Sequence, residues 1–124
     1  MSDERIILSG LWVALMLTYF LGDVLRIFAG DMTPGEMDGE PGSDWVWLGA
    51  AAFMLVPILM VVLSLIVPYP AIRWITIAVS VAVILFNLVG LPYKGMYDNF
   101  LIMVSFGFNA ATIWYAATWT TELP

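Results

Sequence analysis

Four long apolar segments alternate with short polar connections along the chain. The apolar segments cover approximately residues 6–28, 45–67, 72–91 and 100–120. Because a helix needs about 20 mostly apolar residues to cross a hydrocarbon core about 30 Å thick, each segment is long enough to span a membrane. The pattern predicts an all-α integral membrane four-helix bundle with up-down-up-down topology, in which residues 1–124 form a single membrane domain.

The connections between these segments differ in length and character. The longest, residues 31–44, is rich in proline, glycine and acidic residues, a composition that favours solvated irregular structure. The connection from Pro68 to Arg73 is too short for anything but a tight turn, so we expect the second and third spans to be antiparallel neighbours. Pro57, near the middle of the second span, predicts a kink there.

Four spans place both ends of the chain on the same side of the membrane. Basic residues scarcely decide which side, because a cytoplasmic N-terminus puts Arg5 and Arg73 inside but Lys94 and Arg26 outside. We favour a cytoplasmic N-terminus in the inner or plasma membrane, with dual topology as the open alternative. The first apolar segment is too long for a signal peptide and no Ala-x-Ala-like site follows it, so we expect it to be a retained span.

Composition agrees with a membrane protein and excludes several kinds of chemistry. Hydrophobic residues make up 62% of the chain and charged residues 11%, whereas a soluble domain is about half apolar and a quarter charged. Cysteine and histidine are absent, which removes disulfides, thiol chemistry and the usual zinc and haem sites. Ten acidic residues against four basic ones argue against nucleic-acid binding. We therefore expect no cofactor and no nucleic-acid partner.

The acidic loop raises the question of a calcium site. Glu36, Asp38 and Glu40 supply carboxylates, but they lack the spacing of an EF-hand loop. Solvation explains these charges better, so we expect no metal.

Polar and small residues recur at helical spacing within the spans, and because they are costly in lipid we expect them to face inward. The stripes are Trp12, Met16, Tyr19, Asp23 and Arg26; Thr76, Ser80, Val83, Asn87 and Gly90; and Ser105, Asn109, Thr112, Ala116 and Trp119. A weaker stripe in the second span consists of Ala50, Phe53, Pro57, Met60 and Ser64. The small pairs Gly10/Ala14, Ala78/Ala82 and Gly107/Ala111 are expected to allow close helix approach within a compact, mildly polar bundle.

Five residues are candidates for contact with a ligand, namely Tyr19, Asp23, Arg26, Asn87 and Asn109. Asp23 and Arg26 are close enough to pair along the helix, and such a pair can instead anchor the span at the interface. For the two asparagines, interhelical hydrogen bonding is the stronger interpretation. Asp23, Arg26 and Asn87 fall in the half of the spans that faces the acidic loop, whereas Asn109 lies near the midplane. A polar pocket that opens toward this loop is one hypothesis.

The sequence gives less support to an enzymatic function or to a transport function. Asp23 is the only carboxylate within the predicted spans, and no histidine or cysteine can act with it. Small multidrug transporters have this length and span number but depend on a carboxylate near the middle of span 1, where this chain has Ala14 to Leu17. The motifs of fluoride channels are not recognisable either. We expect no enzyme, and a small transporter or channel is a less favoured reading.

Short motifs spread over most of the chain resemble a known family. They are Leu11-Trp12 with Tyr19 and Asp23, Pro68-Tyr69 with Arg73-Trp74, and Ile113-Trp114-Tyr115-Ala116 with Trp119. In these motifs the chain resembles a family of small four-span prokaryotic membrane proteins that are DoxX-like in architecture. The resemblance implies a four-helix fold in a prokaryotic inner membrane, without an established activity. Relatives often carry carboxylates where this chain has Leu55 and Ser105, so chemistry that depends on those acids would be absent.

Two functional hypotheses remain. The leading one is a membrane protein that acts through helix–helix association among membrane lipids, as an accessory subunit of a membrane complex or as a homo-oligomer. The alternative is a carrier or binding protein for a small apolar or lipid-like ligand, such as a quinone, in the bundle interior. An interior filled solidly by side chains would count against the alternative.

Overall fold

The computed structural model describes residues 3–31, 33–37, 40–91 and 95–119. Within them lie four long helices, α1 (Asp3–Phe28), α2 (Asp44–Ile66), α3 (Ala71–Gly90) and α4 (Met96–Thr118). Each helix is long and apolar enough to span a membrane. The predicted all-α membrane bundle is confirmed, and the helix bounds differ from the predicted ones by only a few residues.

Contacts between helices show that neighbours run antiparallel. Arg5, near the start of α1, donates a hydrogen bond to the carbonyl of Ser64, near the end of α2, at 3.1 Å. The Arg5 guanidinium also lies 5.4 Å from the ring of Trp119, directly after α4. Arg73, near the start of α3, donates to the carbonyl of Ala117, near the end of α4, at 2.9 Å. The bundle therefore has the predicted up-down-up-down arrangement.

The helices do not pack equally against one another. α1 packs closely on α2 and α4, and α3 packs on α4, but α2 and α3 contact each other only slightly. The predicted tight turn between them is present and contains a cis peptide bond at Tyr69–Pro70. Farther from the turn, the rings of Phe53 and Phe86 stack between α2 and α3, with centroids 4.2 Å apart. The α2–α3 side is thus the most loosely packed side of the bundle.

The acidic loop is more regular than its composition predicts. Two short strands, β1 (Glu36–Met37) and β2 (Glu40–Pro41), form an antiparallel ladder. Gly35 precedes β1 with a φ of 86°, a conformation that glycine adopts without steric cost. No group of three metal-ligating side chains occurs within the described ranges, and Asp38, one of the three acids considered for calcium, lies outside them.

The polar interior follows the predicted stripes most closely in α3 and α4. Buried residues there are Thr76, Ser80, Val83, Asn87, Ser105, Asn109, Thr112, Ala116 and Trp119. For Gly90, the remaining member of the stripes, the structure describes only its place in α3. In α1, Trp12 and Tyr19 are buried, but Met16, Asp23 and Arg26 are only half-buried. The other buried residues of α1 are Arg5, Leu8, Ser9, Leu15 and Gly22.

The second span follows its weaker stripe in part. Pro57, Met60 and Ser64 are buried, while Ala50 and Phe53 are half-buried. α2 continues as one helix through Pro57, so the predicted kink stays a prediction.

Of the six residues in the small pairs that were expected to allow close helix approach, four are exposed, and Ala14 and Ala111 are half-buried. Gly10, Ala78, Ala82 and Gly107 are exposed on the outside of the bundle. A Cβ atom added to Gly10 or Gly107 would meet nothing within 4 Å. At these four positions the expected approach of helices within the bundle is absent, whereas other small residues, among them Gly22 and Ala116, are buried.

Candidate functional site

A cavity of about 490 Å³ lies in the half of the bundle next to the acidic loop. All four helices line it, through the second half of α1, the first half of α2, the end of α3 and the start of α4. These parts meet at one end because the helices are antiparallel. Ligand pockets in proteins typically measure about 300–1,000 Å³, so a small molecule fits here. The interior therefore contains unfilled space, which the hypothesis of a bound ligand requires.

One end of the cavity is charged. Arg26 of α1 binds the Asp98 carboxylate with two nitrogens, Nε to Oδ2 at 2.7 Å and Nη2 to Oδ1 at 2.9 Å. This paired arrangement is the strong geometry for an arginine and a carboxylate. The third nitrogen of Arg26, Nη1, donates to Oδ1 of Asp23 one helical turn earlier. The predicted Asp23–Arg26 pair is therefore present. It belongs to a cluster of three residues that also contains Asp98.

Asp98 is the member of this cluster that the sequence reading missed. The fourth span was predicted to begin near residue 100, which left Asp98 in a turn and Asp23 as the only carboxylate within the spans. α4 begins at Met96 instead, so Asp98 lies in its first turn and is only 4% exposed. A carboxylate is favourable in the first turn of a helix, because the backbone N–H groups there carry partial positive charge. Its position three residues after Gly95, the helix N-cap, was the available signal.

Polar and aromatic side chains form the next level of the cavity. The Asn87 amide nitrogen donates to the Tyr19 hydroxyl at 2.6 Å, which joins α3 to α1. The stacked rings of Phe53 and Phe86 lie beside this pair, and the Tyr19 and Phe53 ring centroids are 6.3 Å apart. Small residues of α2, Gly49 and Ala50, line the same space. The cavity thus has a charged end and a largely aromatic and apolar wall.

The structure brings together four of the five predicted ligand residues. Tyr19, Asp23, Arg26 and Asn87 all line the cavity. Asn109 is not among its lining residues and instead accepts a hydrogen bond from Ser80. Both asparagines therefore make hydrogen bonds between helices, and Asn87 does so at the cavity wall.

A further polar contact lies at the same end of the bundle. The Tyr97 hydroxyl donates to the Asp31 carboxylate at 2.6 Å. Asp31 follows α1 directly and Tyr97 stands in the first turn of α4. This bond ties the start of the acidic loop to the helix that carries Asp98.

No protein family, curated protein or solved structure matches this chain. The resemblance to DoxX-like four-span proteins therefore stays a prediction. An inference about function has to start from the cavity.

Proposed function

We propose that this chain is an integral membrane protein that binds a small, largely apolar or lipid-like molecule inside its helix bundle. The observation that carries the proposal is the cavity of about 490 Å³, which all four helices line and which combines a charged end with an aromatic wall. Such a combination suits an amphipathic molecule, whose apolar part contacts the rings while its polar part reaches the charges. Binding or carrying such a molecule requires no catalytic group.

The loose packing between α2 and α3 supports entry from the membrane. Apolar molecules concentrate in the bilayer, so a site that receives them benefits from a side opening toward lipid. Phe86, which lines the cavity, is 59% exposed, and its stacking on Phe53 forms one of the few contacts between the two helices. A rotation of these two side chains would widen the gap. We propose this gap as the route of entry.

The simplest competing interpretation is that Arg26 and its two carboxylates only anchor the ends of α1 and α4. Charged groups within spans are costly and often serve in this way by pairing near the interface. Anchoring accounts for the bidentate contact between Arg26 and Asp98. It makes no use of the open volume next to this pair, since an ion pair near the interface can stay solvated without a cavity inside the bundle.

The proposal is tested by filling the cavity. Ala50→Phe adds a ring to a cavity-lining position, whereas Ala51→Phe adds the same ring to the next residue of α2, which is exposed. With decylubiquinone as a neutral amphipathic probe, we expect tryptophan fluorescence titrations to show saturable binding to the wild type and to Ala51→Phe. Binding to Ala50→Phe should fall by roughly tenfold or more, because the ring occupies the space of the probe. Equal binding by the two variants would contradict the proposal.

A second candidate function is association with other membrane helices, as a subunit of a complex or as a homo-oligomer. The observation in its favour is the outward position of Gly10, Ala78, Ala82 and Gly107. Small residues on a lipid-facing surface allow another helix to approach closely, which is a main source of helix association in membranes. Native mass spectrometry should then show a defined stoichiometry that Gly107→Leu abolishes, whereas a wild type that stays monomeric without any partner would exclude it.

A further inference from the structure

The charged end of the cavity favours one class of ligand over others. We infer that the molecule bound there is a small amphipathic cation, with its positive group beside Asp23 and its apolar part against Phe53 and Phe86. This inference rests on the proposed function and specifies the ligand class of the same site.

The guanidinium of Arg26, which lines the cavity, is already engaged by carboxylates. Arg26 directs Nε and Nη2 at Asp98 and Nη1 at Asp23, so each of its three guanidinium nitrogens contacts a carboxylate. An anionic ligand would have to displace one of these carboxylates to reach Arg26. Because the Asp98 contact is bidentate and Asp98 is buried, that exchange is unfavourable.

Two side chains of the cavity, Asp23 and Asn87, each have an oxygen that can accept a hydrogen bond from a ligand. Asp23 contacts Arg26 through Oδ1, and Oδ2 has no hydrogen-bond partner within the part of the chain that the structure describes. The Asp23 side chain is 49% exposed, against 5% for Asp98. Asn87 donates from its nitrogen to Tyr19, which leaves the amide oxygen as an acceptor. Carboxylate and amide oxygens together favour a ligand that is positively charged or donates hydrogen bonds.

The charges of the residues that line the cavity do not balance. Among the described residues that line the cavity, two carboxylates, Asp23 and Asp98, stand against one guanidinium, Arg26, so the difference is one negative charge. The excess lies at Asp23, whose side chain is 49% exposed, so solvent screens it in part, and the attraction that remains favours a cation over a neutral molecule or an anion. A cation beside Asp23 would make the site neutral, whereas an anion would raise the excess to two negative charges.

The aromatic wall is compatible with the same class. The negative face of an aromatic ring attracts a cation, and the effect grows where water is excluded. Phe53 and Phe86 also offer a flat apolar surface to the rest of the ligand. A neutral quinone could use this surface but would gain nothing from the charge of Asp23.

Two ions of nearly identical shape and opposite charge test the inference. Tetraphenylphosphonium and tetraphenylborate are titrated by equilibrium dialysis against the intact protein in an uncharged maltoside detergent. Binding to the cavity is taken as the part that Ala50→Phe removes, which corrects for partition into the micelle. We expect the phosphonium to bind at least tenfold more tightly than the borate at this site.

A charge variant sharpens the result. Asp23→Asn keeps the shape of the side chain and removes the excess charge, so phosphonium binding should weaken by about tenfold and the preference over borate should nearly vanish. Asp3→Asn is the matched control, because it makes the same change at the other end of α1, where the exposed Asp3 is remote from the cavity. It should leave both affinities unchanged.

The outcomes separate the two proposals. Cavity binding of the borate that equals or exceeds that of the phosphonium, each taken as the difference between the wild type and folded Ala50→Phe, would overturn the inference. Decylubiquinone binding that Ala50→Phe abolishes, with no cavity binding of either ion, would also overturn it while leaving the proposed function standing. If neither the quinone nor the ions bind in a manner sensitive to Ala50→Phe, the proposed function fails as well.

Discussion

Each end of the bundle contains an arginine of α1, and the two arginines make different kinds of contact. At the end away from the acidic loop, Arg5 is 7% exposed, donates to the backbone carbonyl of Ser64 and lies over the ring of Trp119. At the other end, Arg26 is paired with two carboxylates beside a cavity. The first arginine contributes to packing, whereas the second belongs to a polar site with space next to it.

The surroundings of the two arginines explain this difference. Leu8 and Trp12, one and two turns after Arg5, are fully buried, and the Tyr69 ring packs on Trp119 with centroids 5.1 Å apart. Near Arg26, by contrast, Gly22 and Gly49 contribute no side chains and α2 and α3 pack loosely. The comparison indicates that a buried charge alone does not mark a functional site in a bundle. The charge also has to stand beside unfilled volume.

The largest loss of stability is expected at the end of the bundle away from the acidic loop. Trp119→Ala removes a side chain that is 1% exposed and takes away the ring that packs on Arg5 and Tyr69. The free energy of unfolding should fall by about 3 kcal/mol, measured by denaturant titration in detergent. The folded fraction should bind the cavity probe as the wild type does. Loss of probe binding in the folded protein would contradict the view that the packing around Trp119 and the cavity are independent of each other.

The next effect concerns the ion pair at the cavity. Asp98→Asn keeps the shape of the side chain but removes the bidentate carboxylate partner of Arg26, while the half-exposed Asp23 remains beside its guanidinium. We expect a loss of about 2 kcal/mol in the free energy of unfolding, below the usual cost of breaking a fully buried pair because Arg26 is 27% exposed.

Asp23→Asn is the comparison variant for this prediction. It removes an exposed contact between residues three apart on one helix and should cost only about 0.5 kcal/mol in the same unfolding experiment. Equal losses in the two variants would contradict the view that Asp98 is the main partner of Arg26.

The smallest effect comes from a single methyl group. Gly22 lines the cavity, and a Cβ atom there would meet Arg26 Nη2 at 3.6 Å and Leu101 Cδ1 at 3.7 Å, which are ordinary contact distances. Gly22→Ala should therefore stabilise α1 by about 0.5 kcal/mol through higher helix propensity and weaken probe binding slightly. Gly10→Ala, on the open outer face of the same helix, should stabilise equally without any change in binding. Identical binding by both variants would place Gly22 outside the site.

The fold follows from the sequence to a large extent, because the length of the apolar segments and the cost of polar groups in lipid leave few alternatives. The same cost explains why Asn87 and Ser105 were correctly predicted to face inward. Four residues of the predicted small pairs are exposed for a related reason. Alanine and glycine are tolerated both in lipid and against another helix, so Gly107 carries no preference for the interior.

The candidate site was less accessible to sequence reasoning. Tyr19, Asp23, Arg26 and Asn87 were identified by spacing along single helices, which helical periodicity predicts well. The partnership of Arg26 with Asp98 joins residues that are 72 positions apart, and it depends on how α1 and α4 are aligned. No local pattern contains that alignment. The cavity has the same origin, since it depends on how loosely α2 and α3 pack.

The central claim, that the loop-side half of the bundle holds a small molecule, is tested most directly by native mass spectrometry of the protein extracted gently from its own membrane. We expect the wild type and Ala51→Phe to retain one discrete small-molecule mass that Ala50→Phe lacks. A wild-type spectrum that shows only bare protein or non-specific lipid, unchanged by Ala50→Phe, would contradict the claim and leave helix–helix association as the function to pursue.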